Sequence, residues 1–222
     1  MYNKYVMYME EIFKKYKPNY DKLLEYGFIY RDNKYIYSKN ILEDTFKIEI
    51  VIDSSITVKI IDLEFNEEYI NYKLENNNGT FSSKIKEIYE DLLLDIRDKC
   101  FYKRDFVSDQ ANRISNKLYE LYNTIPSFEW DSTTDAVFRN NNKWYGLIMN
   151  IDINKITPGT GKVDVLNIKL EPNEIIELLN KKGFYKAYHM NKKYWISIIL
   201  DNTIEDNTIL ELISESYSYT IK

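Results

Sequence analysis

"DAVFRNNNKWYGLIMNI", Asp135–Ile151, reads as two β-strands, 135–140 and 143–151, folded back on each other at an Asn-rich turn. Asparagine tolerates the left-handed backbone angles that a tight hairpin demands. A hairpin makes its strands antiparallel, and helical patterns flank this one on both sides. Upstream, Ala111, Ile114, Leu118 and Leu121 line one side of a helix expected over 107–123. Downstream come a Pro158–Gly161 loop, a strand at 163–170, and a helix from Pro172 to Lys182 that stops at Gly183. A strand at 194–200 and a final helix near 204–218 follow, with Thr203 and Asp206 forming a Ser/Thr-x-x-acid start. Antiparallel strands with flanking helices predict an α+β fold.

The first half repeats this order. Val6, Met9, Ile12, Phe13 and Tyr16 predict a helix over 5–16, closed by Pro18, and a short helix at 20–26 ends on Gly27. "FIYRDNKYIYSK" and "FKIEIVIDSSITVKIIDLEF" then read as two hairpins, turning at Asp32-Asn33 and at Asp53-Ser54-Ser55. "YINYKLENNNG" suggests one more strand. Ser82 or Ser83 then caps a helix carrying Ile85, Ile88, Tyr89, Leu92, Leu93 and Ile96. The pattern restarts between Cys100 and Asp105. Two α+β domains are therefore expected, 1–105 and 106–222, each an antiparallel sheet with flanking helices.

Composition narrows the function classes. With 44% hydrophobic and 29% charged residues, the 222-residue chain has a globular composition and enough length to bury a core. Glu10 and Glu11 interrupt the apolar N-terminus, so a signal peptide is not expected, nor is any membrane span. Cys100 is the single cysteine, which excludes an intramolecular disulfide; a cytoplasmic location is expected. The 21 tyrosines accompany abundant Asn, Ile and Lys, as AT-rich coding sequence would produce, and carry no functional weight.

Catalytic constellations are scarce. One His and one Cys cannot build a His-rich zinc site, and no Gly-x-Ser-x-Gly elbow positions a nucleophile. In "TPGTGK", Gly159 and Gly161 are too close for a phosphate loop, and a strand follows rather than a helix. Glu87, Glu90, Asp91, Asp95 and Asp98 mark an acidic helix face, read as solvated and balanced by Lys84, Lys86, Arg97 and Lys99. No cofactor and no tightly bound transition metal are expected, and the protein is read as a non-enzymatic binding module.

The C-terminal half resembles the MmcQ/YjbR family. The matching residues are "VFR" at 137–139, "KWYGLI" at 143–148, "LNIKLEPNE" at 166–174, "YHMNKKYW" at 188–195, "LD" at 200–201 and "ESY" at 215–217. The first half resembles the extra N-terminal domain of the family's longer members, through "GFIY", "YKLENNNGTF" and "YEDLLLDIRDKCF". The resemblance implies a frataxin (CyaY)-like fold for 106–222, and a DNA-binding role through a proposed double-wing arrangement of hairpins. This chain has Tyr194 where many members carry a second His, and Ile204-Glu205 where a proline is common.

Net charge is −5, yet Lys181, Lys182, Lys186, Lys192 and Lys193 fall in a fifteen-residue stretch without an acid. This island, with His189 and Asn191 beside it and Arg139 and Lys143 on the other hairpin, is the candidate nucleic-acid-binding edge. Weak, salt-dependent DNA binding is the first expectation; an acidic protein partner is the second, and a small-ligand protein or enzyme the last. His189 is expected to be hydrogen-bonded and packed on aromatics, Asn191 to take the turn's unusual backbone angles, and Trp195 to anchor the core.

Overall fold

The computed structural model describes residues 12–73, 80–130 and 134–221, and the chain forms two compact units, Met1–Lys103 and Arg104–Lys222. Both are α+β with antiparallel sheets.

In the first unit, β1 (Tyr16–Pro18) pairs with β7 (Phe101–Lys103). Helix α1 (Tyr20–Tyr26) is capped by the Asn19 side chain, which accepts from the Lys22 amide at 3.3 Å, and ends at Gly27 with φ of 116°. A five-stranded meander follows: β2 (Ile29–Arg31), β3 (Lys34–Ile41), β4 (Phe46–Ile52), β5 (Ile56–Asp62) and β6 (Glu67–Glu68). Phe46, Ile48, Ile50 and Ile52 alternate inward and share one core with Ile85, Tyr89, Leu93 and Ile96 of α2 (Thr80–Cys100). On the acidic side of α2, Glu90, Asp95 and Asp98 pair with Lys86, Lys99 and Arg97.

Three expectations for this unit change. Most of the helix expected over 5–16 lies outside the described residues, and Tyr16 belongs to a strand. Residues 71–73 form a single 3-10 turn instead of a strand. Helix α2 already runs at Thr80, so Ser82 sits inside it, and its hydroxyl meets that of Tyr69 at 2.8 Å rather than capping.

In the second unit, Ser108 caps α3 (Asp109–Tyr122), accepting from the Ala111 amide at 3.1 Å. The sheet order is β11 (Phe184–Lys186), β12 (Trp195–Ile199), β10 (Lys162–Lys169), β9 (Lys143–Asp152) and β8 (Ala136–Asn140), antiparallel throughout. The β8–β9 hairpin turns at Asn141 and Asn142, with φ of 47° and 64°. Helices α4 (Pro172–Leu178) and α5 (Asp206–Ile221) complete the unit. Ala111, Ile114 and Leu118 of α3 and Ile209 and Ile213 of α5 share a core with Phe138, Ile148, Leu166, Ile168, Ile196 and Ile198 of the sheet.

The opposite sheet face is covered by a loop. Val137, Leu147 and Met149 are buried there beneath Tyr188 and Met190. Asn167 and Ser197, a cross-strand pair and both fully buried, hold that loop down. The Ser197 hydroxyl donates to Asn167 Oδ1 at 2.5 Å and accepts from the Tyr188 amide at 3.0 Å, while Asn167 Nδ2 donates to the Tyr188 carbonyl at 2.9 Å. Each buried polar group of the loop's anchor is thereby matched, which removes the penalty of burying it. The next residue, His189, has a positive φ of 56°, a conformation costly for a residue with a Cβ.

A second polar network ties the start of α3 to the start of α5. Arg113 donates to both carboxylate oxygens of Asp206, at 2.6 and 3.0 Å, and to Asn202 at 2.7 Å. Buried Gln110 donates to Asp206 and to the Ile204 carbonyl, and accepts from the Asn202 amide. Arg113, and then Gln110, hold the Asp206 carboxyl below the usual carboxylate range. Thr203 does not start α5; its amide instead donates to the Asp201 side chain.

Three outcomes are expected. Asn167→Ala should lower unfolding free energy in urea by roughly 1–3 kcal/mol, because it strands the Tyr188 carbonyl and loosens Ser197. His189→Gly should leave stability unchanged or raise it by up to about 1 kcal/mol in thermal unfolding, whereas His189→Val should lower it. Asp206 has a depressed folded pKa, so its contribution is fully present above the unfolded value and is lost as pH falls through the folded one. The stability gap between the parent and Asp206→Asn should therefore stay constant near neutrality and shrink below about pH 4.

Candidate nucleic-acid interface

The five lysines lie on and beside one sheet edge. Among the described residues β11 pairs with β12 alone, with Phe184 opposite Ile198 and Lys186 opposite Ile196, and no described strand lies on its other side. Lys181 and Lys182 precede the strand at one end. Lys186 leaves it at the other, where Lys192 and Lys193 lead into β12. Three residues of strand span about 10 Å, so the contiguous sequence island becomes two groups along an edge. All five side chains are exposed. None has an ion-pair partner among the described residues.

The turn before β12 is held by Asn191. Its Oδ1 accepts from the Lys193 amide at 3.0 Å, and its carbonyl accepts from the amides of Tyr194 and Trp195 at 3.0 Å each. The asparagine thus works through its hydrogen bonds; the left-handed backbone expected there belongs to His189. The His189 imidazole is exposed, lies edge-on to the Tyr188 ring at 4.1 Å, and makes no hydrogen bond to the described residues. Trp195 is half-buried, not a core anchor, because it opens β12 at the sheet's end where cover is incomplete.

The other hairpin contributes less than expected. Strand register places Lys143 at the same sheet end as Lys169 and Trp195, but β9 and β11 are three strand spacings apart, about 14 Å. Lys143 is exposed. Arg139 is committed: it pairs with Glu129 and lies 5.3 Å over the Trp144 ring, which in turn meets Trp130 edge-on. A guanidinium already paired and stacked has little left for phosphate.

Between these hairpins, at the same sheet end, is a recess of about 240 Å³ lined by Lys169, Leu170, Glu171, Tyr194 and Tyr219. The Leu170 amide donates to the Tyr194 carbonyl at 3.1 Å, fixing the tyrosine's backbone at the rim. Lys193 Nζ lies 5.0 Å over the Tyr194 ring, and Lys169 Nζ lies 5.8 Å over that of Tyr219. Lys169 and Tyr219 carry no signal in the sequence, and Tyr194 carries only that it stands where many members of the resembled family have a histidine.

An acidic flank adjoins the recess. Burial first, then the nearby carboxylates of Glu215, Glu177 and Glu171, raise the Glu174 carboxyl above its ordinary value. The Tyr219 hydroxyl donates to Glu215 and is pushed upward by burial and by that bond. The remaining signature residues serve the framework: the Ser216 hydroxyl donates to the Tyr145 carbonyl at 2.6 Å and accepts from the Lys169 amide at 2.9 Å, and Tyr217 stacks on Tyr122 at 4.0 Å. Among the described residues, no group of three or more His, Cys, Asp or Glu is arranged to hold a metal, and no helix is long and apolar enough to cross a membrane.

Comparison with known proteins places this unit. The YjbR family pattern matches residues 119–219. The uncharacterized protein YyaQ of Bacillus subtilis (strain 168) is 39% identical over an alignment of 111 positions that covers 48% of this chain and 94% of that protein. A crystal structure of a Pseudomonas syringae protein is similar at 37% identity, over 49% of this chain and 96% of its own, with a TM-score of 0.47. A Deinococcus radiodurans protein is similar at 26% identity, over 51% and 78%, with a TM-score of 0.38. At 39% identity across nearly the whole length of YyaQ, and with the family pattern covering most of the second unit, the chain belongs to the YjbR family.

Proposed function

We propose that the second unit is a binding module whose β11 edge contacts the phosphate backbone of DNA. The observation that supports this reading is the contrast among its cations. Arg104, Arg113, Lys117 and Arg139 are each ion-paired within the unit and the exposed Lys155 and Lys162 stand apart at the β9–β10 connection, whereas Lys181, Lys182, Lys186, Lys192 and Lys193 gather along one edge, exposed and without a carboxylate partner among the described residues. Five such charges along one edge have no internal ion pair to break before they replace the counterions of a phosphate backbone. Glu171, Glu174, Glu177 and Glu215 repel a polyanion from the α4 side and confine it to the edge. Contacts of this kind position a duplex without reading its bases, so little sequence discrimination is expected.

Lys186, Lys192 and Lys193 gather at one end of β11. With about three phosphates met there, log K against log salt should fall with a slope near −3, roughly −0.9 per contact. The Lys192→Gln/Lys193→Gln variant should flatten that slope by close to two units at unchanged thermal stability. Fluorescence anisotropy with a labelled duplex across a salt series measures both. A parent without salt-dependent binding, or a double variant that binds like the parent, would overturn this reading in favour of an acidic protein partner on the same lysines.

A further inference from the structure

The recess beside the lysine turn has a chemistry that duplex contact does not use. It is open, floored by buried Leu170, walled by two tyrosines, and rimmed by a carboxylate and two ammonium groups. Tyr194 joins it directly to the lysines, being the residue after Lys193, and is 39% exposed. Its backbone is fixed from both sides, through Leu170 and through Asn191, so the ring projects from a fixed point on the rim. A flat aromatic ligand gains stacking on such a wall, and the neighbouring ammonium groups favour one that carries phosphate.

We propose that this recess seats one unstacked base of a single-stranded segment whose phosphates lie on Lys192 and Lys193. The idea rests on the lysine-edge reading and goes beyond it by adding a base site. Within the site, exposed Glu171 is an acceptor only, so it receives a hydrogen bond from an exocyclic amino group such as the N4 amine of cytosine. Thymine presents a carbonyl oxygen at that position and meets the carboxylate unfavourably. The site therefore prefers amino-bearing bases on single strands.

The test compares short single-stranded oligo-dC, single-stranded oligo-dT and a mixed-sequence duplex by anisotropy at fixed low salt, using the full chain. Oligo-dC should bind more tightly than oligo-dT. Tyr194→Leu should weaken single-strand binding about fivefold or more and duplex binding clearly less, since stacking serves only an unpaired base while the duplex loses at most the ring beneath Lys193. Glu171→Gln should erase the oligo-dC preference, because an amide both donates and accepts; this exposed substitution provides a readout even if Tyr194→Leu perturbs the turn. Equal affinity for the two single strands, or an unchanged Tyr194→Leu, overturns the base site. If the duplex still binds with salt dependence and the lysine double variant still loses it, the edge reading stands while the base site falls. If the parent binds no nucleic acid at all, both fall together.

Discussion

The hydrogen-bonded trio of Asn167, Ser197 and the Tyr188 backbone governs the second unit. A five-stranded sheet has two faces, and the helices of this unit cover one. The other would expose Val137, Leu147 and Met149 unless something lay across it. A loop is a poor cover, since its backbone groups need partners once water is gone. Asn167 and Ser197 supply them, and the loop becomes a lid whose apolar side chains close the second face. The strain at His189 follows from that anchoring: the chain must leave Tyr188 sharply for Met190 to reach its place.

Everything at the sheet's end depends on this lid. It fixes where Lys186 leaves the sheet and where Asn191 turns the chain into β12, and therefore where Lys192, Lys193 and Tyr194 are displayed. The family signature is largely the scaffold of this display. Tyr188 is pinned, Asn191 builds the turn, and Ser216 satisfies backbone groups of two strands. The chemistry faces outward from side chains that make few internal contacts, which is why the signature identifies the framework more firmly than an activity.

Much of the architecture was legible from residues. The Asn-Asn turn announced its hairpin, and alternation marked β4 and β5, because a half-buried strand must alternate, whereas β9 and β10 are buried on both faces and do not. β11 was not legible: Phe184–Lys186 is too short to show a period. The sequence carries α4 four residues too far, to Lys182, because Gly183 offers a helix stop. In fact the chain tightens after Leu178, where the amides of Asn180 and Lys181 bond back only three residues. The buried Asn167–Ser197 pair was invisible because a polar residue in a strand ordinarily signals the solvent face. Of the candidate site, the lysines were found from charge alone. Their division by β11, the commitment of Arg139 and the recess all required knowing which strands are neighbours.

The two margins of this sheet also bear on how the protein behaves in a crowded solution. An open margin offers unpaired amides and carbonyls on which another chain can lay down a strand. Here one margin is three residues long, with lysines before and after it. The other, β8, breaks register between Phe138 and Arg139 and is partly closed by the Ser127–Val137 bridge. Neither gives an incoming strand a long, straight, uncharged template. The chain thus limits the growth of its own sheet, and basic side chains on an outer strand act against aggregation whatever else they touch.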